Sequence, residues 1–276
     1  MEKTQKEIQK LAKRLLKEKK VDLVIGYEKS ESGKTRPFFA TKLEDTDRLV
    51  WDKSCSNNLA VYLLENKEKV AIVAKGCDSR SILELIKTNQ IKRDDVFIIG
   101  VPCNGMESNG KLLENCRVCR YRNPVICDVL LGEKVEEIPE DNYEDVKEIE
   151  SLPLEKRLGF WKNEFQRCIK CFACRNVCPM CYCDDCILEK KDPQWVSKPR
   201  KKEEMFLFHL VRAFHTAGSC VDCGSCERAC PVGIPLRLLY RKVAKDVKEL
   251  FDYEAGVDLK EKPPLTKFDL ENDEKL

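Results

Sequence analysis

Eight of the 17 cysteines in this 276-residue chain fall into two runs of the same spacing, each closed by a proline. Cys168, Cys171, Cys174 and Cys178-Pro179 read C-x2-C-x2-C-x3-C-P, and Cys220, Cys223, Cys226 and Cys230-Pro231 repeat the pattern. Most of the remaining cysteines also lie two or three residues apart, and the total is odd. A disulfide framework fits such a pattern poorly. Met1–Lys20 is charged throughout and has no apolar stretch of the signal-peptide kind, so a cytoplasmic location is expected. Thiols there stay reduced, and clustered thiolates are then metal ligands.

The spacing is that of bacterial ferredoxins, in which the fourth cysteine of each run ligates the other run's 4Fe-4S cluster. The short loop wraps three thiolates around one face of a cubane. Cys168, Cys171, Cys174 and Cys230 are therefore assigned to one cluster, and Cys220, Cys223, Cys226 and Cys178 to a second. A pair of zinc sites is the competing reading, but zinc sites normally use two separated C-x2-C pairs. Residues 179–219 form a long insertion with a predicted helix over Glu203–His215. The insertion also holds Cys181, Cys183 and Cys186, which could bind an additional metal, shield the clusters or be incidental. His209 and His215, the chain's two histidines, fall on different faces of that helix and are read as packing residues.

Ahead of the cysteine runs the patterning changes. Ile8, Leu11, Ala12, Leu15 and Leu16 recur at helical spacing and predict an amphipathic opening helix. Val21–Ile25 predicts a strand, with others at Phe38–Leu43 and Arg48–Trp51, and Leu59–Leu64 predicts a helix. Val70–Ala74, a helix over Ser79–Thr88 and Val96–Val101 form a βαβ unit, so an α/β domain with a partly parallel sheet is expected. Leu236–Phe251 predicts a closing amphipathic helix. The expected organisation is an α/β domain over 1–132, a linker over 133–160, and a ferredoxin-like α+β module with a helical insertion over 161–252. A tail over 253–276 ends the chain, and its last 15 residues are expected to be ordered only if a partner holds them.

The βαβ unit places Cys77 and Cys103 just past the carboxyl ends of two parallel strands, the edge where open α/β sheets bind ligands. Cys116 and Cys119 follow, and four thiolates converging there could hold a third cluster. Buried structural cysteines are the alternative. Cys55 and Cys127 are weaker candidates. At these residues the chain resembles a known family. Ser54-Cys55-Ser56-Asn57-Asn58-Leu59 is similar to the family's serine- and glycine-rich segment, with asparagines in place of glycines. Gly76-Cys77-Asp78 resembles its Pro-Cys-Asp turn, and Gly100-Val101-Pro102-Cys103 with Cys116-x2-Cys119 resembles its later cysteine elements. The family is the beta subunit of deazaflavin-reducing hydrogenases and formate dehydrogenases, here in a shortened form. The resemblance implies a dispersed-cysteine 4Fe-4S cluster, a flavin (FAD or FMN) and often an attached ferredoxin module.

Other signals fail. Ser32-Gly33-Lys34-Thr35 lacks the glycine a P-loop needs, which is Glu28 here, and there is no G-x-G-x-x-G. The net charge of +2 gives no field for nucleic acid or an anionic membrane, and no apolar run approaches membrane-spanning length. No catalytic acid, base or nucleophile stands out, and no cofactor-binding residue beyond the cysteines. The expected function is electron transfer through two or three 4Fe-4S clusters, as a subunit of an anaerobic multi-subunit oxidoreductase. The complex would be of the hydrogenase, formate dehydrogenase or heterodisulfide-reductase type, with substrate chemistry on partner subunits. The alternatives are a flavin-containing subunit that reduces a soluble hydride carrier, and a zinc-binding interaction protein.

Overall fold

A computed structural model describes residues 1–66 and 68–266, so residues 267–276 of the expected tail lie outside the described residues. The chain groups into two compact units, one of residues 1–141 with 256–259 and one of residues 142–255 with those after 259.

In the first unit, helix α1 (Glu2–Lys17) buries Ile8, Leu11, Ala12 and Leu15 along a single stripe, as helical spacing requires. Strands β1 (Leu23–Lys29) and β2 (Thr35–Ala40) form a hairpin. Strand β3 (Val70–Ala74), helix α2 (Gly76–Lys87) and strand β4 (Val96–Gly100) form the expected βαβ unit. A small hairpin of β5 (Glu107–Ser108) and β6 (Lys111–Leu112), helix α3 (Glu114–Arg117) and strand β7 (Val129–Leu130) follow. The sheet order is β2-β1-β3-β4-β7. Only the β1–β2 pair is antiparallel, and β1–β3, β3–β4 and β4–β7 are parallel. Every residue of β3 is buried, the pattern of a central parallel strand covered on both faces.

Two expected elements differ. Arg48–Trp51 is not a strand: the chain makes a 3-10 turn over Glu44–Arg48, and the Val50 N–H then donates to Tyr27 O at 2.8 Å. The Asp45 carboxylate accepts from the Thr41 and Lys42 N–H groups and bends the backbone there. Leu59–Leu63 is a 3-10 turn, started by the Asn58 side chain accepting from the Ala60 N–H. Ser32–Lys34 lies in the exposed β1–β2 turn, where Gly33 takes a φ of +76°, and Thr35 begins β2.

The second unit contains α4 (Glu144–Glu150), α5 (Leu154–Phe165), α6 (Ala173–Asn176), α7 (Lys202–His215), α8 (Ser225–Arg228) and α9 (Leu236–Phe251). Among its described residues there is no strand, so the module is carried by helices and turns where an α+β arrangement was expected. The cysteine runs explain this, because they spend their backbone on tight turns. Lys170 and Phe172 in the first run, and Asp222 and Gly224 in the second, all have φ between 53° and 68°. These are equivalent positions, and each turn delivers the third cysteine of its run into a short helix, Cys174 in α6 and Cys226 in α8. Charged side chains fix the second run against the helices. Arg237 and Arg241 of α9 reach Asp145 of α4 at 2.6 and 2.8 Å, and Arg241 reaches Asp222 at 2.8 Å. Such charge-assisted forks fix geometry as well as adding energy. Among the described residues, no helix is long and apolar enough to cross a membrane.

Candidate metal centres

A cavity lies in the second unit, and Cys178, Cys220, Cys223 and Cys226 all line it. These are the four thiols that the crossed-ligand spacing predicts for one cluster, three from the second run and one from the first. Arg212, Arg237 and Tyr240 complete much of its wall. Buried polar atoms in that wall test whether a cubane fits. Arg212 Nε and Nη1 and Tyr240 OH are buried and have no hydrogen-bond partner in the protein. A buried donor left without an acceptor is costly. Inorganic sulfides and thiolates would provide acceptors here, so the residues present fit the group.

The thiols of the first run gather nearby. Cys168 is in electrostatic contact with Cys171 and Cys230, and Cys174 with Cys168 and Cys171. The Lys170 N–H donates to Cys168 Sγ, and the Ile234 N–H to Cys230 Sγ, each at 3.4 Å. Burial pushes the Cys174 thiol up to about 11 and raises Cys168 and Cys226 as well. Such thiols hold their protons until a metal replaces them, so loading these sites releases protons.

Zinc would need its thiolates gathered around one ion at about 2.3 Å. Among the described residues, no three His, Cys, Asp or Glu side chains converge in that way. Thiolates around a cubane bind separate iron corners and stand further apart. Cys181 lies against the second site, where the Cys178 thiol donates to it and Arg212 Nη2 donates to its sulfur at 3.3 Å. That bond, more than burial, raises Cys178, and together with Arg212 it lowers Cys181 towards the thiolate. Cys183 is exposed and Cys186 packs beside the apolar core of this unit.

In the first unit, Cys77 sits in the first turn of α2 and Cys103 follows β4, both beyond the carboxyl ends of parallel strands. Cys116 lies in α3 and is in electrostatic contact with Cys103. The loop after Cys119 crosses the start of α2 so closely that a Cβ on Gly76 would lie 1.9 Å from Tyr121 O. The Gly105 and Met106 N–H groups donate to Cys103 Sγ and Cys116 Sγ, each at 3.4 Å. The chain therefore brings Cys77, Cys103, Cys116 and Cys119 to one end of the sheet. Cys55 instead is fully buried and accepts from the Asp52 N–H, with burial pushing its thiol up to about 11. Cys127 packs against Gly100 at the base of the same end.

Below these cysteines lies a buried lysine that periodicity does not reveal. Lys75, 2% exposed, donates to Tyr27 OH, to Asn57 O at 3.0 Å and to Asp78 Oδ2 at 2.7 Å. Burial alone would depress Lys75, but Asp78 and then Tyr27 overcome it and hold it well above the ordinary lysine value. Arg212 was equally unforeseen. A signal for it exists, since Met205, Phe208 and Arg212 share one face of α7 and the arginine interrupts an apolar stripe.

His209 packs as expected, 1% exposed and stacked on Phe165 with ring centroids 4.6 Å apart. Neither ring nitrogen has a hydrogen-bond partner. Burial, and then Arg212, lower it to about 3. An unfolded histidine takes a proton below about pH 6.5, whereas this one does not, so its contribution to stability declines as pH falls from 6.5 towards 3. His209→Phe is expected to raise stability by about 1–2 kcal/mol at neutral pH and to flatten this acid loss. Denaturant midpoints of both proteins at pH 7 and pH 5 check it, and a destabilised variant would contradict it.

The profile of the 4Fe-4S dicluster domain family matches residues 164–234, the span of both cysteine runs. The F420-dependent formate dehydrogenase subunit beta of Methanocaldococcus jannaschii is 27% identical over 354 aligned positions, covering 92% of each chain. The F420-dependent formate dehydrogenase 1 subunit beta of Methanococcus maripaludis is 24% identical, covering 83% of this chain and 84% of the relative. The 354 aligned positions exceed the 276 residues present, so the first relative carries segments that this shorter chain lacks. The similarity runs through the α/β unit as well as the cysteine runs, and the chain is a homologue of F420-dependent formate dehydrogenase beta subunits that carries a 4Fe-4S dicluster domain.

Proposed function

We propose that this chain is the iron–sulfur electron-transfer subunit of an anaerobic, cytoplasmic, multi-subunit oxidoreductase, with the substrate chemistry on partner subunits. The observation that carries the reading is the cavity lined by Cys178, Cys220, Cys223 and Cys226, which joins thiols from both runs. A 4Fe-4S cubane supplies reversible one-electron chemistry at a potential the protein adjusts. The chain's part is to hold two such groups by Cys168, Cys171, Cys174 and Cys230 and by Cys220, Cys223, Cys226 and Cys178. Backbone N–H groups at Lys170 and Ile234 donate to Cys168 and Cys230, and Cys168 and Cys174 are buried. Cys77, Cys103, Cys116 and Cys119 are proposed to hold a third group at the carboxyl end of the sheet.

A second reading draws on the relatives, whose names state F420 dependence. A flavin in the α/β unit would then pass hydride to a soluble carrier. The segment that resembles the family's serine- and glycine-rich element weighs against it, because its polar groups are engaged within the protein. Asn58 Nδ2 donates to Ser81 Oγ at 2.9 Å, and Asn57 O accepts from Lys75 at 3.0 Å.

Iron, sulfide and flavin per chain, measured on anaerobically purified protein, test both. About 8 irons are expected from the two ferredoxin sites alone and about 12 if the third is filled. Stoichiometric flavin would favour the second reading. Zinc without iron would overturn both.

A further inference from the structure

The buried guanidinium of Arg212 faces the thiols of both ferredoxin sites. It extends from α7 and is 3% exposed. Its Nη2 donates to Cys174 O at 3.1 Å, so it touches a ligand residue of the first site. Its charge acts on Cys178 and Cys226, ligands of the second, and its side chain lines the second cavity. Among the described residues no carboxylate pairs with it. The groups that hold it in its charged form are Tyr240, Cys181, Cys174 and Cys178. A guanidinium taken out of water without a counter-ion is strongly unfavourable, and proteins retain buried charges where something of opposite sign meets them. Nε and Nη1 have no partner in the protein, although a buried arginine held only for packing would need its donors satisfied.

A cubane with four thiolates is an anion and gains one further negative charge on reduction. A fixed cation beside it, with N–H groups aimed at sulfur, favours the reduced state, since net charge and hydrogen bonds to sulfur are both levers on cluster potential. A guanidinium does not lose its proton in proteins, so the effect is permanent.

We propose that Arg212 is the shared counter-ion of the two ferredoxin sites and raises the reduction potentials of both clusters. Arg212 is thus a positioning and tuning residue and exchanges no electron itself. The inference rests on the two-cluster reading above.

The test is an EPR-monitored redox titration of the full, anaerobically purified chain, wild type against Arg212→Met and Arg212→Lys, with iron counted in each. In Arg212→Met, at the wild-type midpoint, the ratio of reduced to oxidised cluster is expected to fall at least tenfold at the second site. That corresponds to a potential about 59 mV lower for a one-electron couple. The first site should shift in the same direction. Arg212→Lys keeps the charge and should shift both less. Full iron content with unmoved potentials in Arg212→Met would overturn the inference while leaving the clusters in place. A wild type without two reducible clusters would overturn the function reading itself.

Should Arg212→Met lose its iron, wild type labelled with 15N-arginine decides. Pulsed EPR of the reduced protein is expected to show 15N coupling that Arg212→Lys reduces to what Arg237, on the same cavity wall, contributes. Absence of coupling in the wild type, or coupling undiminished in Arg212→Lys, would overturn the proposal.

Discussion

Replacing Cys230 by alanine is expected to extinguish the cluster of the first cysteine run, not that of its own. About four irons per chain and one of the EPR signals of the two ferredoxin sites should be lost. The reason lies in the turns. Each run bends through two positive-φ positions, which turn three thiols to one side and leave the fourth beyond the short helix. Cys178 accordingly lines the cavity of Cys220, Cys223 and Cys226, and Cys230 is in electrostatic contact with Cys168. Cys230→Ala and Cys168→Ala should therefore leave the same residual spectrum. Cys178→Ala and Cys223→Ala should leave the other. If Cys230→Ala instead matched Cys223→Ala, the crossed ligation would be wrong.

The largest stability effect is expected at Lys75→Met. The methionine fills similar space but strands Asp78, which is fully buried, with its charge unpaired. Breaking a buried pair from one side costs about 3–5 kcal/mol, and for a unit of this size the melting temperature should fall by on the order of 10 °C. The sign of the pH dependence follows from the raised Lys75 value. A lysine held above its ordinary 10.5 adds stability at every pH below that value, and loses it only as pH climbs higher still. The deficit of Lys75→Met should therefore be constant between pH 6 and 9. The double variant Lys75→Met/Asp78→Leu should recover part of it, because no charge is then left alone. Thermal melts across that range check both statements, and a Lys75→Met melt within a degree or two of wild type would refute the pairing argument.

What could be read before folding follows the reach of each interaction. The dicluster domain was legible because its two cysteine runs are short loops whose spacing is written in consecutive letters. The βαβ unit was legible because Val70–Ala74 is apolar throughout, as a strand covered on both faces must be. Arg48–Trp51 misled because Leu49 and Trp51 are buried without entering the sheet, their path bent by the Asp45 side chain. Among the described residues of the ferredoxin module no strand forms, and its cysteine runs are built of tight turns and short helices. Lys75 and Arg212 were hidden for another reason. Tyr27 lies 48 positions from Lys75, and Cys181 lies 31 positions from Arg212, so neither partnership leaves a local pattern.

The borders of the five-stranded sheet bear on how this chain meets other proteins. An outermost strand offers unsatisfied amides to any extended segment that passes, the route to both fibrils and strand-adding complexes. On one side β2 carries Pro37, which has no amide hydrogen, next to the charged Arg36. On the other, β7 is only two residues long. Neither border can template a long ladder. The sheet therefore resists self-association during synthesis, and it offers no edge by which another protein could extend its backbone.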